Sequence, residues 1–163
     1  MSKQFEIKDM LGQATRDALL LVNNRSAKET SLLTSARFDQ LIGRAGVALY
    51  VPPDAALLLA FDQSADYDGE NYLWFRSRFD EFLYIDRVIV AEDYRRYGIG
   101  RMLYAEVFRR AAAIGHTRVV CEVNLIPPNP VSDQFHAALG FKEIGRATID
   151  SDLKTVRYLA AQL

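Results

Sequence analysis

A strand, a helix and a second strand follow one another in the middle of the chain, and this order restricts the fold more than any other feature of the sequence. Residues 82–90 form an apolar run interrupted by Asp86-Arg87, residues 100–114 carry apolar side chains at helical spacing, and residues 117–123 are rich in β-branched side chains. The connection of about seventeen residues is long enough for the two strands to pair in parallel. We therefore expect an α/β fold in which this β-α-β unit lies at the centre of a mixed α+β sheet.

The flanking segments add further elements to this unit. Apolar spacing and turn residues predict a strand at 5–7, a helix ending at Asn23-Asn24, a helix capped by Ser35, strands at 47–51 and 56–61, a helix at 129–139, and strands at 142–149 and 155–163 around the turn Asp150-Ser151-Asp152. Residues 62–80 mix aromatic and charged side chains and are predicted to form a long loop. No linker or repeat interrupts the pattern, so residues 1–163 are predicted to form a single domain.

Composition argues against several classes of protein. Half of the 163 residues are apolar, enough for a core without metals or disulfides, and 20 basic against 21 acidic residues argue against a nucleic-acid partner. Cys121 is the only cysteine, so no intramolecular disulfide is possible, and two histidines without clustered carboxylates predict no metal site. The charged first ten residues fit neither a signal peptide nor a membrane span, so we expect a cytoplasmic protein, either a monomer or a homodimer.

A glycine-containing turn lies between the first central strand and the helix. In the run Arg95-Arg96-Tyr97-Gly98-Ile99-Gly100-Arg101, two glycines allow the backbone to approach a ligand closely, and the first N–H groups of the helix have no partner within it. These groups, the helix dipole and three arginines suit a pyrophosphate, although a turn with solvated charges has the same local pattern. The run lacks the third glycine of a dinucleotide-binding loop, where Leu103 stands, and the Gly-Lys-Ser/Thr of a P-loop.

Two motifs resemble those of the GNAT N-acetyltransferase superfamily. Arg95-x-x-Gly98-x-Gly100 is similar to the family signature R/Q-x-x-G-x-G/A, and the run from Asn129 to Phe141 is similar to a later block, N-x-x-(A/S)-x-x-(F/L)-Y-x-x-L-G-F. The resemblance covers residues 82–163, and the segment 121–130 further resembles a poorly characterised bacterial branch of predicted acetyltransferases. It implies a GNAT-like acyl-CoA N-acyltransferase fold, in which the two central parallel strands splay apart around the cofactor. It also implies an acyltransferase that binds acetyl-CoA and transfers the acetyl group directly to a primary amine of a small molecule or peptide. The residues that bind the cofactor would then be Val88, Ile89, Val90, Arg95, Arg96, Tyr97, Gly98, Ile99, Gly100, Arg101, Asn129 and Ser132.

Three side chains are candidates for proton transfer. The attacking amine must lose a proton, and Asp86 is the first candidate for the base, because an ionisable group in an apolar strand has to be paired or used. The alternative for Asp86 is a structural salt bridge with Arg87. Glu122 is the second candidate, since strand alternation places it on the face opposite Cys121, and a structural role is an equal alternative. His136 stands where many family members have the tyrosine that protonates the departing thiolate; an imidazolium has a proton to donate, and packing or a bond to a carbonyl is the alternative.

Other features leave the acceptor and the activity open. Cys121 is a poor candidate for a nucleophile, because the local sequence places no histidine beside it. The function that competes with catalysis is a non-catalytic acyl-CoA sensor or scaffold module. The candidates to line an acceptor pocket, for which packing or a dimer contact is an equal explanation, are Tyr67, Tyr72, Trp74, Arg76 and Arg78.

Overall fold

The computed structural model describes residues 4–10, 12–26, 32–149 and 154–163. In chain order the elements are β1 (Lys8–Asp9), α1 (Gln13–Arg25), α2 (Ser35–Arg44), β2 (Val47–Val51), β3 (Ala56–Asp62), α3 (Glu70–Arg76), β4 (Leu83–Val90), a 3-10 turn (Glu92–Tyr94), α4 (Ile99–Ala113), β5 (Arg118–Ile126), α5 (Pro130–Ala138), β6 (Lys142–Ile149) and β7 (Lys154–Gln162). Within these residues the strands form one mixed sheet in the order β1-β2-β3-β4-β5-β7-β6. The α/β fold with a mixed sheet predicted from the sequence is confirmed.

Alternation of side chains along the central strands divides the core into two layers. Ile85 and Cys121 point to the face covered by α4, where Leu103 packs among them. Tyr84 points to the opposite face, where Phe75 of α3 and the apolar side chains of α1 and α2 cover it. Ile85, Cys121, Leu103, Tyr84 and Phe75 are each at most 3% exposed, and burying a large apolar side chain stabilises the fold by about 1.5–3 kcal/mol. The sheet is therefore held between helices on both faces.

The two parallel strands at the centre of the sheet pair only where they begin. Leu83 lies opposite Val119 and Tyr84 opposite Val120, and the register between β4 and β5 ends there. On its other edge β4 remains paired with β3 to its end, with one extra residue, Asp86, at a bulge. The later part of β4 therefore faces a gap instead of a neighbouring strand on the β5 side.

Two local predictions at the beginning of the chain are wrong. The first strand occupies Lys8–Asp9 and not residues 5–7, and α1 continues through Asn23 to Arg25. Helix α1 continues because the Asn23 side chain is fully buried and accepts a hydrogen bond from Arg87 Nη1 at 2.8 Å, so a tertiary contact outweighs its tendency to end a helix.

The start of α2 also differs from the prediction by one residue. Thr34, and not Ser35, is the N-cap, since its hydroxyl oxygen accepts the Arg37 backbone N–H at 3.1 Å. Both residues are good caps on local grounds, and only the packed position of the helix selects between them.

The predicted long loop at 62–80 is interrupted by helix α3. Tyr72 and Phe75 lie three residues apart on its buried face, and both are 0% exposed. The predicted turn Asp150-Ser151-Asp152 lies outside the described residues. None of the helices in the described part of the chain is long and apolar enough to cross a membrane.

Candidate active site

The turn between β4 and α4 opens the start of the helix toward a possible ligand. Gly98 is the N-cap with φ of 76°, a left-handed conformation that glycine adopts readily, and Arg96 has φ of 72°. Arg95 stabilises the turn by donating from Nε to the carbonyl oxygen of Val90 at 3.2 Å. The N–H groups of residues 99–101 belong to the first turn of α4, so they have no acceptor inside the helix and carry the positive end of its dipole.

A groove of about 710 Å³ runs from this turn along the end of β4 to α5. A groove of this volume falls within the range of small-molecule and cofactor sites. Tyr97 is the one predicted cofactor residue that does not line it; the side chain is 52% exposed, and its ring lies 5.6 Å from that of Phe5. The other predicted cofactor residues all line the groove: Val88, Ile89, Val90, Arg95, Arg96, Gly98, Ile99, Gly100, Arg101, Asn129 and Ser132.

A smaller cavity of about 120 Å³ continues the groove into the gap between β4 and β5. The two spaces share four lining residues: Val88, Asn129, Ser132 and His136. Asp86 and Glu122 line the small cavity, together with Tyr104 from α4. The structure therefore brings all three candidate catalytic residues to one small space at the inner end of the groove.

Asp86 is held by two donors inside the protein. Arg87 donates from Nε to one carboxylate oxygen at 2.7 Å, and the Tyr67 hydroxyl donates to the other at 2.5 Å. The side chains of this ion pair are 7% and 6% exposed. Burial, and next the charge of Asp86, raise the pKa of the Tyr67 hydroxyl, so Tyr67 remains a donor. The ion pair weighed as the structural alternative for Asp86 is thus present.

Glu122 has hydroxyl and amide donors but no cation in direct contact among those described. The Tyr84 hydroxyl donates to Oε2 at 2.8 Å, and the Asn71 side chain is a second partner. Tyr158 orients Asn71 by donating to its Oδ1 at 2.9 Å, which leaves the amide N–H groups for Glu122. Burial, and next the charge of Asp86, raise the pKa of the Glu122 carboxyl to about 8, against the opposing effect of its hydrogen bonds.

Helix α5 begins at the groove and carries His136 to the cavity. Asn129 caps the helix, since its Oδ1 accepts the Ser132 backbone N–H at 3.3 Å, and Pro130 occupies the first position. The His136 ring is buried, with Nδ1 2.7 Å from the Ser132 carbonyl oxygen and Nε2 2.7 Å from the Tyr104 hydroxyl. Burial lowers the pKa of the imidazole.

Three further residues that were considered from the sequence, Tyr72, Trp74 and Cys121, lie in structural surroundings. Tyr72 donates to the Asp62 carbonyl oxygen at 2.7 Å and is part of the core. Trp74 stacks on Tyr158 with ring centroids 4.0 Å apart. Burial raises the pKa of the Cys121 thiol, so Cys121 lines the cavity as a protonated and poorly nucleophilic group.

Like Tyr84, two further residues that contact the candidate catalytic groups were not identified from the sequence. Asn71 lies in α3, which the sequence did not reveal, and it contacts Glu122 on β5. Tyr104 lies on the buried face of α4, and its hydroxyl reaches His136. Neither partnership leaves a signal in local sequence, because each depends on how two separate elements pack.

A mixed sheet whose central parallel strands diverge beside a glycine-opened helix start defines the GNAT-like class of fold. Residues 39–141 match the model of the acetyltransferase (GNAT) family. The chain belongs to the GNAT acetyltransferase family, as the sequence motifs predicted, and this membership supports acetyltransferase activity in the broad sense.

Solved structures give the same fold at low sequence identity. A chain of the NatC complex bound to Gag peptide and CoA has a TM-score of 0.77 at 10% identity, with 99% of each chain covered. The ribosomal-protein-S18-alanine N-acetyltransferase from Escherichia coli has 0.70 at 15%, covering 98% of this chain and 94% of that one. Arabidopsis thaliana NAA60 in complex with a bisubstrate analogue has 0.73 at 17%, with 98% of each chain covered. The comparison with curated proteins found no match.

Proposed function

We propose that this protein transfers the acetyl group of acetyl-CoA to a primary amine by direct attack, without a covalent enzyme intermediate. The observation that carries the proposal is the continuity of the groove with the small cavity that holds Asp86 and Glu122. A cofactor in the groove would bring its thioester to the carboxylates. The structurally similar NatC chain, whose complex is bound to CoA, supports this choice of cofactor.

The groove offers the cofactor two kinds of backbone contact. The pyrophosphate would lie against the N–H groups of residues 98–101, assisted by the positive charges of Arg95, Arg96 and Arg101. The pantetheine arm would run beside Val88–Val90, whose backbone faces the gap left by β5. The first contact suits an anion and the second an amide, which are the two polar parts of coenzyme A.

The reaction then needs a base and a stabilised oxyanion. We assign the base to Glu122, because a carboxyl group with a pKa of about 8 accepts a proton from an ammonium more readily than an ordinary carboxylate does. Asp86 is the weaker candidate, since Arg87 and Tyr67 already occupy both of its oxygens. Backbone N–H groups of β4 at the gap would donate to the thioester oxygen as it becomes negative.

Calorimetry with CoA tests the cofactor site. Gly98→Ala should weaken CoA binding about tenfold or more, because alanine is strained at φ of 76° and the turn that presents the N–H groups has to shift. Gly115→Ala is a matched control: its φ is 84°, and an added Cβ would again meet nothing within 4 Å. It should lose a similar amount of stability, about 1 kcal/mol, and bind CoA like the parent. Equal CoA affinities of the two variants would refute the site.

Thiol release from acetyl-CoA in the presence of a panel of primary amines tests the reaction. Glu122→Gln should lower turnover by about 10²- to 10⁴-fold and leave the affinity for CoA unchanged. Asp86→Asn should lower it less. A parent protein that binds CoA and releases thiol no faster than buffer with every amine would favour the acyl-CoA sensor.

A further inference from the structure

The hydrogen bonds around His136 determine which of its nitrogens carries a proton. Nδ1 lies 2.7 Å from the backbone carbonyl oxygen of Ser132, and a carbonyl oxygen only accepts. Nδ1 is therefore the protonated nitrogen of the neutral ring, and Nε2 has a lone pair. The Tyr104 hydroxyl, 2.7 Å from Nε2, must be the donor of that bond.

The neutral ring consequently has no proton to give toward the cavity. Its only N–H is used on Ser132, on the side away from Tyr104. Tyr104 lines the small cavity, and its hydroxyl proton can turn about the C–O bond without any movement of the tyrosine ring. The Ser132 hydroxyl lies at the other nitrogen of the imidazole, 3.2 Å from Nδ1. The Tyr104 ring is fixed by edge contacts to Phe135 and Phe141, with ring centroids 5.1 Å and 5.9 Å apart.

We propose that Tyr104 is the group that donates a proton to the departing sulfur of coenzyme A. His136 is a positioning residue: its Nε2 accepts the Tyr104 O–H and fixes the hydroxyl oxygen until the O–H turns from Nε2 to the sulfur. The inference rests on the proposed function. As the C–S bond breaks, its electron pair stays on sulfur, the Tyr104 O–H proton moves to sulfur, and free thiol forms. Glu122 takes one proton of the ammonium and passes it to solvent, and the second amine proton leaves to solvent as the amide forms. Solvent returns one proton to Tyr104, so one proton is released in each turnover.

The ionisation of the neighbouring groups supports this assignment over an imidazolium donor. A base at Glu122 must be ionised, which requires a pH near or above its pKa of about 8, whereas burial lowers the pKa of His136 and an imidazolium requires acid. The two states are scarcely populated together. Burial raises the pKa of Tyr104, so its hydroxyl keeps the proton at every pH where Glu122 is ionised. The other ionisable groups that act on the pair are Cys121, Asp133 and Arg157.

The ionisation of bound CoA tests the assignment without an acceptor. A hydroxyl that donates to the sulfur stabilises the thiolate, so the pKa of the bound thiol should be lower in the parent than in Tyr104→Phe, by about one unit or a tenfold change in the thiolate-to-thiol ratio. The thiolate is followed by its ultraviolet absorbance as CoA-saturated protein is titrated. Phenylalanine keeps the ring contacts. Tyr50→Phe, in β2, is the matched control and should titrate like the parent.

The outcomes separate the two proposals. If CoA binds and Tyr104→Phe leaves the thiol pKa at the parent's value, Tyr104 is not the donor and the proposed function stands. If His136→Gln raises the thiol pKa more than Tyr104→Phe does, the donor is His136 and the proposal is wrong. If calorimetry detects no CoA binding to the folded parent, the proposed function fails, and this inference fails with it.

Discussion

Replacing Glu122 with glutamine should remove a pH-dependent loss of stability from this protein. The folded-state pKa of about 8 lies above the ordinary value of 4.5, so the native protein keeps a proton at Glu122 that the unfolded chain has already released. Stability at this group is therefore greatest below about pH 4.5 and falls as the pH rises toward 8. Glutamine is neutral at every pH and accepts the same hydrogen bond from Tyr84. The unfolding free energy of Glu122→Gln therefore has no pH-dependent contribution from this position.

The size of the effect follows from the two pKa values. Between pH 5 and pH 7 the unfolded carboxyl is largely ionised and the native one largely protonated, so the parent loses stability at a rate approaching 1.36 kcal/mol per pH unit. The difference in unfolding free energy between Glu122→Gln and the parent should grow by roughly 2–3 kcal/mol over that interval. It should level off above pH 8, where both states of the parent are ionised.

Urea denaturation followed by circular dichroism at pH 5, 6, 7 and 8 measures this difference. The contributions of the other titrating groups to the unfolding free energy cancel when the variant is compared with the parent at the same pH. Glu106→Gln is the matched control, because hydrogen bonds from Arg109 and Arg110 lower the pKa of Glu106 to about 2. Glu106 is ionised in both states across this range, so its difference from the parent should stay constant. Two parallel lines for Glu122→Gln and the parent would refute the reasoning, since they would mean that Glu122 is ionised in the native protein.

Two further predictions concern stability at the site and at the sheet. Arg87→Met should destabilise the fold by roughly 3–5 kcal/mol in urea denaturation, because it leaves the buried Asp86 carboxylate without its cation; Asp86→Asn in the same chain should recover part of the loss, and no recovery would contradict the ion-pair explanation. Gly145→Ala should lower the unfolding free energy by about 1–3 kcal/mol, since its Cβ would lie 2.6 Å from the Trp74 ring. Gly43→Ala, at a helical position with nothing within 4 Å, should instead raise it by up to about 1 kcal/mol, and equal melting temperatures of the two would contradict the clash.

Local periodicity predicted an element well where the packing of the neighbouring elements favours the same structure. The predicted strands at 47–51 and 142–149 have the bounds that the structure shows, and the pairing of β4 with β5 is parallel as the crossover length required. Alternation and crossover length depend only on backbone geometry, so the sequence alone was enough. The splaying of β4 from β5 does not follow from alternation or crossover length; it was expected from the family resemblance alone, and the register that ends at Tyr84 and Val120 agrees with it.

Helix α3 shows how composition concealed a real periodic signal. The segment 62–80 is rich in charged and aromatic residues, which is typical of a functional loop. Within it, Tyr72 and Phe75 have the spacing of one helical face, and Glu70 is an acidic residue in the first turn. Seven residues give too few repeats for a periodicity argument, so the helix is recognised only when the core that buries its apolar face is known.

The relative order of the two candidate bases depends on their neighbours, of which the sequence indicates only Arg87 beside Asp86. Asp86 attracted attention as a charge inside an apolar strand, yet Arg87 comes next in the chain and neutralises it directly. Glu122 had no comparable local signal, and its neighbours at the site, Tyr84 and Asn71, are neutral and come from other elements. A carboxyl group that is buried beside another carboxylate and lacks a cation has a raised pKa, which is the property a base for an ammonium needs. The ionised form of Asp86, which the sequence places in an apolar strand, is thus stabilised by Arg87 in the fold. The ionised form of Glu122 has no such cation, which makes Glu122 the better candidate for the base.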